Sequence, residues 1–87
     1  MMEMKRKYFT YIVRCADGTL YTGFTVDDVE KRVETHNKGR GAKYTKSRRP
    51  VELMWYHEWE SEHDARSEEY RIKHLTRAEK LLLISSQ

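Results

Sequence analysis

The chain has 87 residues, 38% hydrophobic and 36% charged, with a formal net charge of +3 and one cysteine. That size allows one compact domain burying about 60–65% of its unfolded surface, and it excludes both a disordered chain and a large substrate cavity. Lone Cys15 excludes an internal disulfide and a cysteine zinc site, and the lack of a long apolar run or signal pattern makes a cytoplasmic protein the expectation.

Residues 1–7 are polar and basic and are expected to fray at their start. Residues 8–14 are aromatic, β-branched or threonine, which favours a strand. Phe9, Tyr11, Val13 and Cys15 would share one face, and Tyr8, Thr10, Ile12 and Arg14 the other. Asp17-Gly18 signals a hairpin, with a returning strand over about 19–24. Turn length decides where the tyrosines lie. A two-residue loop would pair Arg14 with Tyr21 and place Tyr11 and Tyr21 on opposite faces. A three-residue loop, with Gly18 left-handed, would pair Cys15 with Thr19, Val13 with Tyr21 and Tyr11 with Gly23. Both phenols would then share a face, with open space at Gly23 beside Tyr11. The residues permit either turn.

Thr25 reads as the cap of a helix over about 27–38, with Asp28 in the capping-box position and Asn37-Lys38-Gly39 as its stop. Its apolar stripe holds Val29 and Val33, and Arg32 and His36 fall on the same stripe, aimed at the sheet. Residues 38–49 carry six basic residues and no acidic one. They read as a flexible basic loop that buries little, closed by Pro50. Residues 51–59 form a third strand beside the hairpin. Ser61 caps a helix that carries Ala65, Ile72 and Leu75 inward, with Glu69 on the same stripe. Thr76 opens a last helix packed through Leu81, Leu82, Leu83 and Ile84. The order is β-β-α-β-α-α in a single domain over residues 1–87, with its core at about 8–84.

Three features depart from simple core-building: the paired tyrosines, Arg32 with His36, and Glu69. Each has a bland explanation. Tyr11 can be core, Arg32 can snorkel past Val29, His36 can be a rim residue, and Glu69 can pair with Lys73 at i+4. Together they supply the parts phosphodiester cleavage needs. A Mg²⁺ ion can be held by one carboxylate and its own waters. An Arg fork stabilises a pentavalent phosphorane. A phenol beside a cation can act as base. The basic loop would hold the polyanionic backbone through Lys43, Tyr44, Lys46, Arg48 and Arg49, unless it is only a solvated charge run. His57, His63 and His74 are too dispersed for zinc, Cys15 has no activating neighbour, and no glycine-rich phosphate loop occurs.

These residues resemble the GIY-YIG endonuclease superfamily. The first signature is matched by Thr10-Tyr11-Ile12 and the second by Tyr21-Thr22-Gly23. The helix arginine is matched by Arg32 and the metal-binding glutamate by Glu69. The likeness is greatest to the small single-domain bacterial members, through residues 17–23, Gly41-Ala42-Lys43-Tyr44-Thr45 and Arg49-Pro50-Val51-Glu52-Leu53. The resemblance implies an α+β fold, a small three-stranded antiparallel sheet flanked by helices. It also implies one Mg²⁺ or Mn²⁺ ion at Glu69 and a metal-dependent endonuclease acting on DNA, structure-selective, in repair or processing. Tyr11 is then the first choice for the base that activates water, supported by His36. Tyr21 positions the water or phosphate, or is itself the base, and Arg32 stabilises the phosphorane. Thr10 and Thr22 replace a Gly and an Ile of the signatures without supplying a reacting group. Phe24 stands where some relatives have a basic residue. No appended DNA-binding domain accompanies the signatures, so targeting is expected to fall to a partner protein or a homodimer. The rivals are a non-catalytic nucleic-acid-binding module and an adaptor using the aromatics Trp55, Tyr56 and Trp59.

Overall fold

The computed structural model describes residues 6–86, so the fraying expected at the very start lies outside the described residues. Strands β1 (Tyr8–Arg14) and β2 (Leu20–Val26) form the expected hairpin. The Gly18 amide donates to the Cys15 carbonyl, the Cys15 amide donates to the Thr19 carbonyl, and Gly18 is left-handed at φ 85°. The connection is therefore the three-residue one, and the register pairs Val13 with Tyr21 and Tyr11 with Gly23. β3 (Glu52–Trp59) runs antiparallel to β1 on its other side, giving the order β2-β1-β3. A bulge interrupts the β1–β3 register between Ile12 and Val13.

Central β1 is covered on both faces, which is why Phe9 to Val13 are all buried. Helix α1 (Val29–Asn37) covers the face of Phe9, Tyr11 and Val13, where Val29 and Val51 complete a cluster. Helices α3 (Glu62–Lys73) and α4 (Arg77–Ser85) cover the other face, where Ile12, Trp55 and Ile72 pack with Leu20, Leu75, Leu83 and Ile84. Ser61 and Thr76 cap these helices as expected, Thr76 within a full capping box. Thr10 donates its hydroxyl to the Ala65 carbonyl at 2.6 Å, tying α3 to the central strand. Among the described residues no helix is long and apolar enough to cross a membrane.

The structure corrects four local expectations. Thr25 is not a helix cap. It is still in β2, paired with Phe9, and Asp28 caps α1 by accepting from the Glu30 and Lys31 amides. Leu81 and Leu82 do not pack inward; they are 44% and 69% exposed. Successive helical residues turn by about 100°, so four in a row cannot share one face. Residues 38–49 are not a loose loop. They include a short helix, α2 (Lys43–Lys46), with Thr45 fully buried. The Ala16 amide donates to the Arg48 carbonyl, and Asn37 clamps Val51 through both its backbone groups. The lysine side chains are exposed while the backbone and Thr45 bond inward, which composition alone does not reveal. The fourth correction, at Gly23, belongs to the site.

Candidate active site

Because Tyr11 opposes Gly23 and Val13 opposes Tyr21, both tyrosines project from the α1 face of the hairpin, diagonal to each other. Tyr11 is only 1% exposed, and its hydroxyl lies 2.7 Å from Nε2 of His36. The space opposite Tyr11 is not open. A Cβ on Gly23 would collide with the Tyr11 hydroxyl and ring, so the glycine is what lets the phenol lie across β2.

His36 comes from the last turn of α1 and is fully buried. Its ring stands edge-on to both phenols, with centroids 5.9 Å from Tyr11 and 5.5 Å from Tyr21. Its Nδ1 lies 2.7 Å from Oγ1 of Thr45, which in turn lies 3.1 Å from the Ala42 carbonyl. Gly41 packs so tightly on the imidazole that a Cβ there would strike it. Burial, and then the nearby Arg32 charge, push the His36 pKa down to about 4, so the ring is neutral at pH 7. Burial pushes the Tyr11 phenol up to about 12; Arg32 opposes that rise, while Tyr21 and Glu69 add to it. A guanidinium from α1 and a carboxylate from α3 are thus both within electrostatic reach of one phenol.

Arg32 donates from Nη2 to the Gly41 carbonyl at 3.1 Å, while its Nε is buried without an acceptor. A buried orphan N–H costs about 1–3 kcal/mol unless a ligand supplies the acceptor. Glu69 is half-buried and takes Lys73 Nζ at 3.0 Å, so its bland i+4 pairing is real. Among the described residues no group of three or more His, Cys, Asp or Glu could hold a metal. A fully protein-liganded ion does not fit this chain. One accessible carboxylate does fit a divalent ion that keeps most of its waters, with Lys73 as its rival for the same oxygen.

The basic segment divides in two. Tyr44 is 39% exposed and stacks on Tyr21, with centroids 5.8 Å apart and planes 23° from parallel, so it extends the aromatic floor outward. Arg48 bonds Asp17 at 3.1 Å and the Tyr44 carbonyl at 2.8 Å, with its guanidinium over the Tyr44 ring. Arg49 bonds the carbonyls of Lys46 and Asn37. Both arginines brace the segment, whereas the Lys43 and Lys46 side chains are exposed. The structure therefore gathers Tyr11, Tyr21, Arg32 and His36, with Glu69 in range and Tyr44 at the rim. Sequence reasoning missed Thr45 and Gly41 as neighbours of the site, although Gly41 to Thr45 had stood out as a shared block, whereas it anticipated Lys73 as the partner of Glu69.

The family model of the GIY-YIG catalytic domain matches residues 7–81. A UPF0213 protein of Staphylococcus aureus is 52% identical over 80 residues, covering 92% of this chain and 96% of its own. One from Pediococcus pentosaceus is 51% identical over 74 residues, 85% of this chain and 77% of its own. The solution structure of a UPF0213 protein from Bacillus halodurans superposes with a TM-score of 0.61 at 41% identity, over 93% of this chain and 85% of that one. The solution structure of the protein EF2693 from E. faecalis gives 0.63 at 37% identity, over 98% of this chain and 90% of that one. With that match over most of its length, the chain belongs to the GIY-YIG family, whose catalytic domain is a nuclease module working with divalent metal ions.

Proposed function

We propose that the chain is a Mg²⁺- or Mn²⁺-dependent endonuclease that hydrolyses DNA phosphodiester bonds, choosing its target by DNA structure, in repair or processing. The observation that carries this is Arg32. Its buried Nε–H has no acceptor, and its guanidinium acts on a phenol that is itself hydrogen-bonded to a neutral histidine. A non-bridging phosphate oxygen is the acceptor that would complete the site, and its charge grows in the phosphorane, so the contact strengthens at the transition state. Tyr11 takes a proton from the attacking water as its own proton passes to Nε2 of His36, which avoids forming a free phenolate in a buried site. Tyr21, stacked on Tyr44, positions the scissile phosphate. Glu69 would hold the metal ion, which supplies positive charge for the phosphate and leaving oxygen.

Near-total burial of Tyr11 also suits a module that binds DNA without cutting it. One experiment separates the two. Purified protein is incubated with branched and duplex DNA and Mg²⁺ or Mn²⁺, alongside Glu69→Ala and Tyr11→Phe. The nuclease proposal expects nicking that both substitutions reduce by more than about 100-fold with DNA binding retained. Binding without metal-dependent cleavage on any substrate, or cleavage indifferent to Glu69, would rule it out.

A further inference from the structure

Four polar groups form an unbroken line, buried from Tyr11 to Thr45: the Tyr11 hydroxyl, the two nitrogens of His36, the Thr45 hydroxyl and the Ala42 carbonyl. The successive separations are 2.7, 2.7 and 3.1 Å. A chain of this kind has a direction, because each link holds one proton. The far end is a carbonyl, which only accepts, and with the Thr45 proton pointed at Ala42 the line has one consistent order. Thr45 Oγ1 then faces His36 with lone pairs, and Nδ1 must carry the imidazole proton. Nε2 is left bare, and the Tyr11 hydroxyl donates to it. The near end gives the same answer independently. With the opposite tautomer, Nε2–H would donate to the phenol, and the phenol's own proton would lack an acceptor at a position 1% exposed. The phenol proton would be left without an acceptor, whereas the Nδ1–H order matches every group in the line.

We infer that Thr45 is a positioning residue that fixes His36 as the Nδ1–H tautomer, keeping the Nε2 lone pair aimed at the Tyr11 hydroxyl. Nothing in Thr45 touches a substrate. It acts through His36, and its place in the strap explains why that basic segment is built inward at one residue. The proton balance of the cleavage step follows. Water loses H⁺ to the Tyr11 oxygen as the Tyr11 proton moves to Nε2, leaving a neutral phenol and an imidazolium. The imidazolium still donates from Nδ1 to Thr45, and it returns its proton to solvent through the phenol after product leaves. In the wrong tautomer Nε2 is already protonated and the transfer has no destination. Gly41 contributes by admitting the ring, because a Cβ there would strike Nδ1 and Cγ of the imidazole.

This inference rests on the nuclease reading for its catalytic meaning but is tested first without it. With ¹⁵N-labelled histidine, the two ring nitrogens of His36 report which one is protonated. The expected result in the wild-type protein is a protonated Nδ1 and a bare Nε2. Thr45→Val, which keeps the shape and removes the acceptor, should shift the population toward Nε2–H, and Thr45→Ser should restore it. If cleavage is observed, Thr45→Val should lower kcat about 10- to 100-fold at unchanged KM, and Thr45→Ser should recover most of the loss. A wild-type Nε2–H tautomer, or a Thr45→Val protein that keeps Nδ1–H, overturns the inference. So does a Thr45→Val protein whose kcat falls no further than its KM and folding explain. Should the wild-type protein cut no DNA, the nuclease reading fails while the nitrogen spectrum still decides this one.

Discussion

At the scale of single residues, His36 shows what the sequence could and could not disclose. Its spacing from Val29, Arg32 and Val33 placed it on the inward face of α1, and it is there. Its environment was not legible, because Thr45 reaches it from nine residues downstream through a segment that composition marks as solvent-facing. That environment has a measurable consequence. A histidine ordinarily titrates near 6.5, but His36 is held down to about 4 by burial and by Arg32. Between those values the unfolded chain binds a proton that the folded one refuses, so stability is full above pH 6.5 and falls as the pH drops toward 4. The loss from this group is on the order of 3 kcal/mol. Tyr11 has its folded pKa raised to about 12 from an ordinary 10, so its contribution is intact below pH 10 and is lost as the pH rises from 10 to 12. Urea unfolding at a series of pH values should therefore show an acid limb that His36→Gln flattens and an alkaline limb that Tyr11→Phe flattens. Limbs unchanged by these substitutions would mean that neither group is buried in solution as described.

At the scale of elements, the hairpin turn and α3 decide the site. The turn was undetermined because Asp-Gly serves both two- and three-residue loops. What selects the longer one is tertiary: only that register leaves Gly23, rather than a side chain, beneath the Tyr11 ring. α3 was better marked, with a serine cap and a clear apolar stripe, and its glutamate was visible because it interrupts that stripe. Less visible was the competition on the same helix. Lys73 stands one turn after Glu69 and neutralises it at 3.0 Å, with the lysine end 48% exposed. Pairs this exposed contribute about 0.2–1 kcal/mol. A divalent ion at Glu69 must displace that ammonium. Lys73→Met should therefore tighten Mn²⁺ binding about two- to fivefold, as read by electron paramagnetic resonance titration. Glu69→Gln should abolish the same signal. Equal affinity in wild-type and Lys73→Met proteins would place the ion elsewhere.

At the scale of the whole molecule, the nuclease proposal raises the question of how a chain of net charge +3 would hold DNA. The strap from α1 to β3 concentrates the positive charge, but its cations are of two kinds. Arg48 and Arg49 are spent on Asp17 and on backbone carbonyls, and they fix the strap that carries Thr45 and Tyr44. Lys43 and Lys46 point outward from α2, three residues apart on one side of a helix that sits beside Tyr21 through Tyr44. On the nuclease proposal, phosphate contact would fall to the lysines and mechanical support to the arginines. Each phosphate neutralised releases counterions, so the affinity of duplex DNA should fall with salt at a slope of about −0.9 per contact. Replacing Lys43 and Lys46 together by alanine should make that slope shallower by about 1.8 and weaken binding, with thermal stability unchanged. Arg48→Ala should do the reverse. It frees the Asp17 and Tyr44 groups from their partner, lowers the melting temperature, and leaves the salt slope nearly as it was. Binding isotherms at several salt concentrations, set beside melting curves for both variants, separate the roles. If Arg48→Ala flattens the salt dependence as much as the double lysine variant does, the arginines also touch phosphate and the whole segment is the footprint. If it does not, the charge that composition made conspicuous is only half ligand, and the other half is scaffold for the proton line behind it.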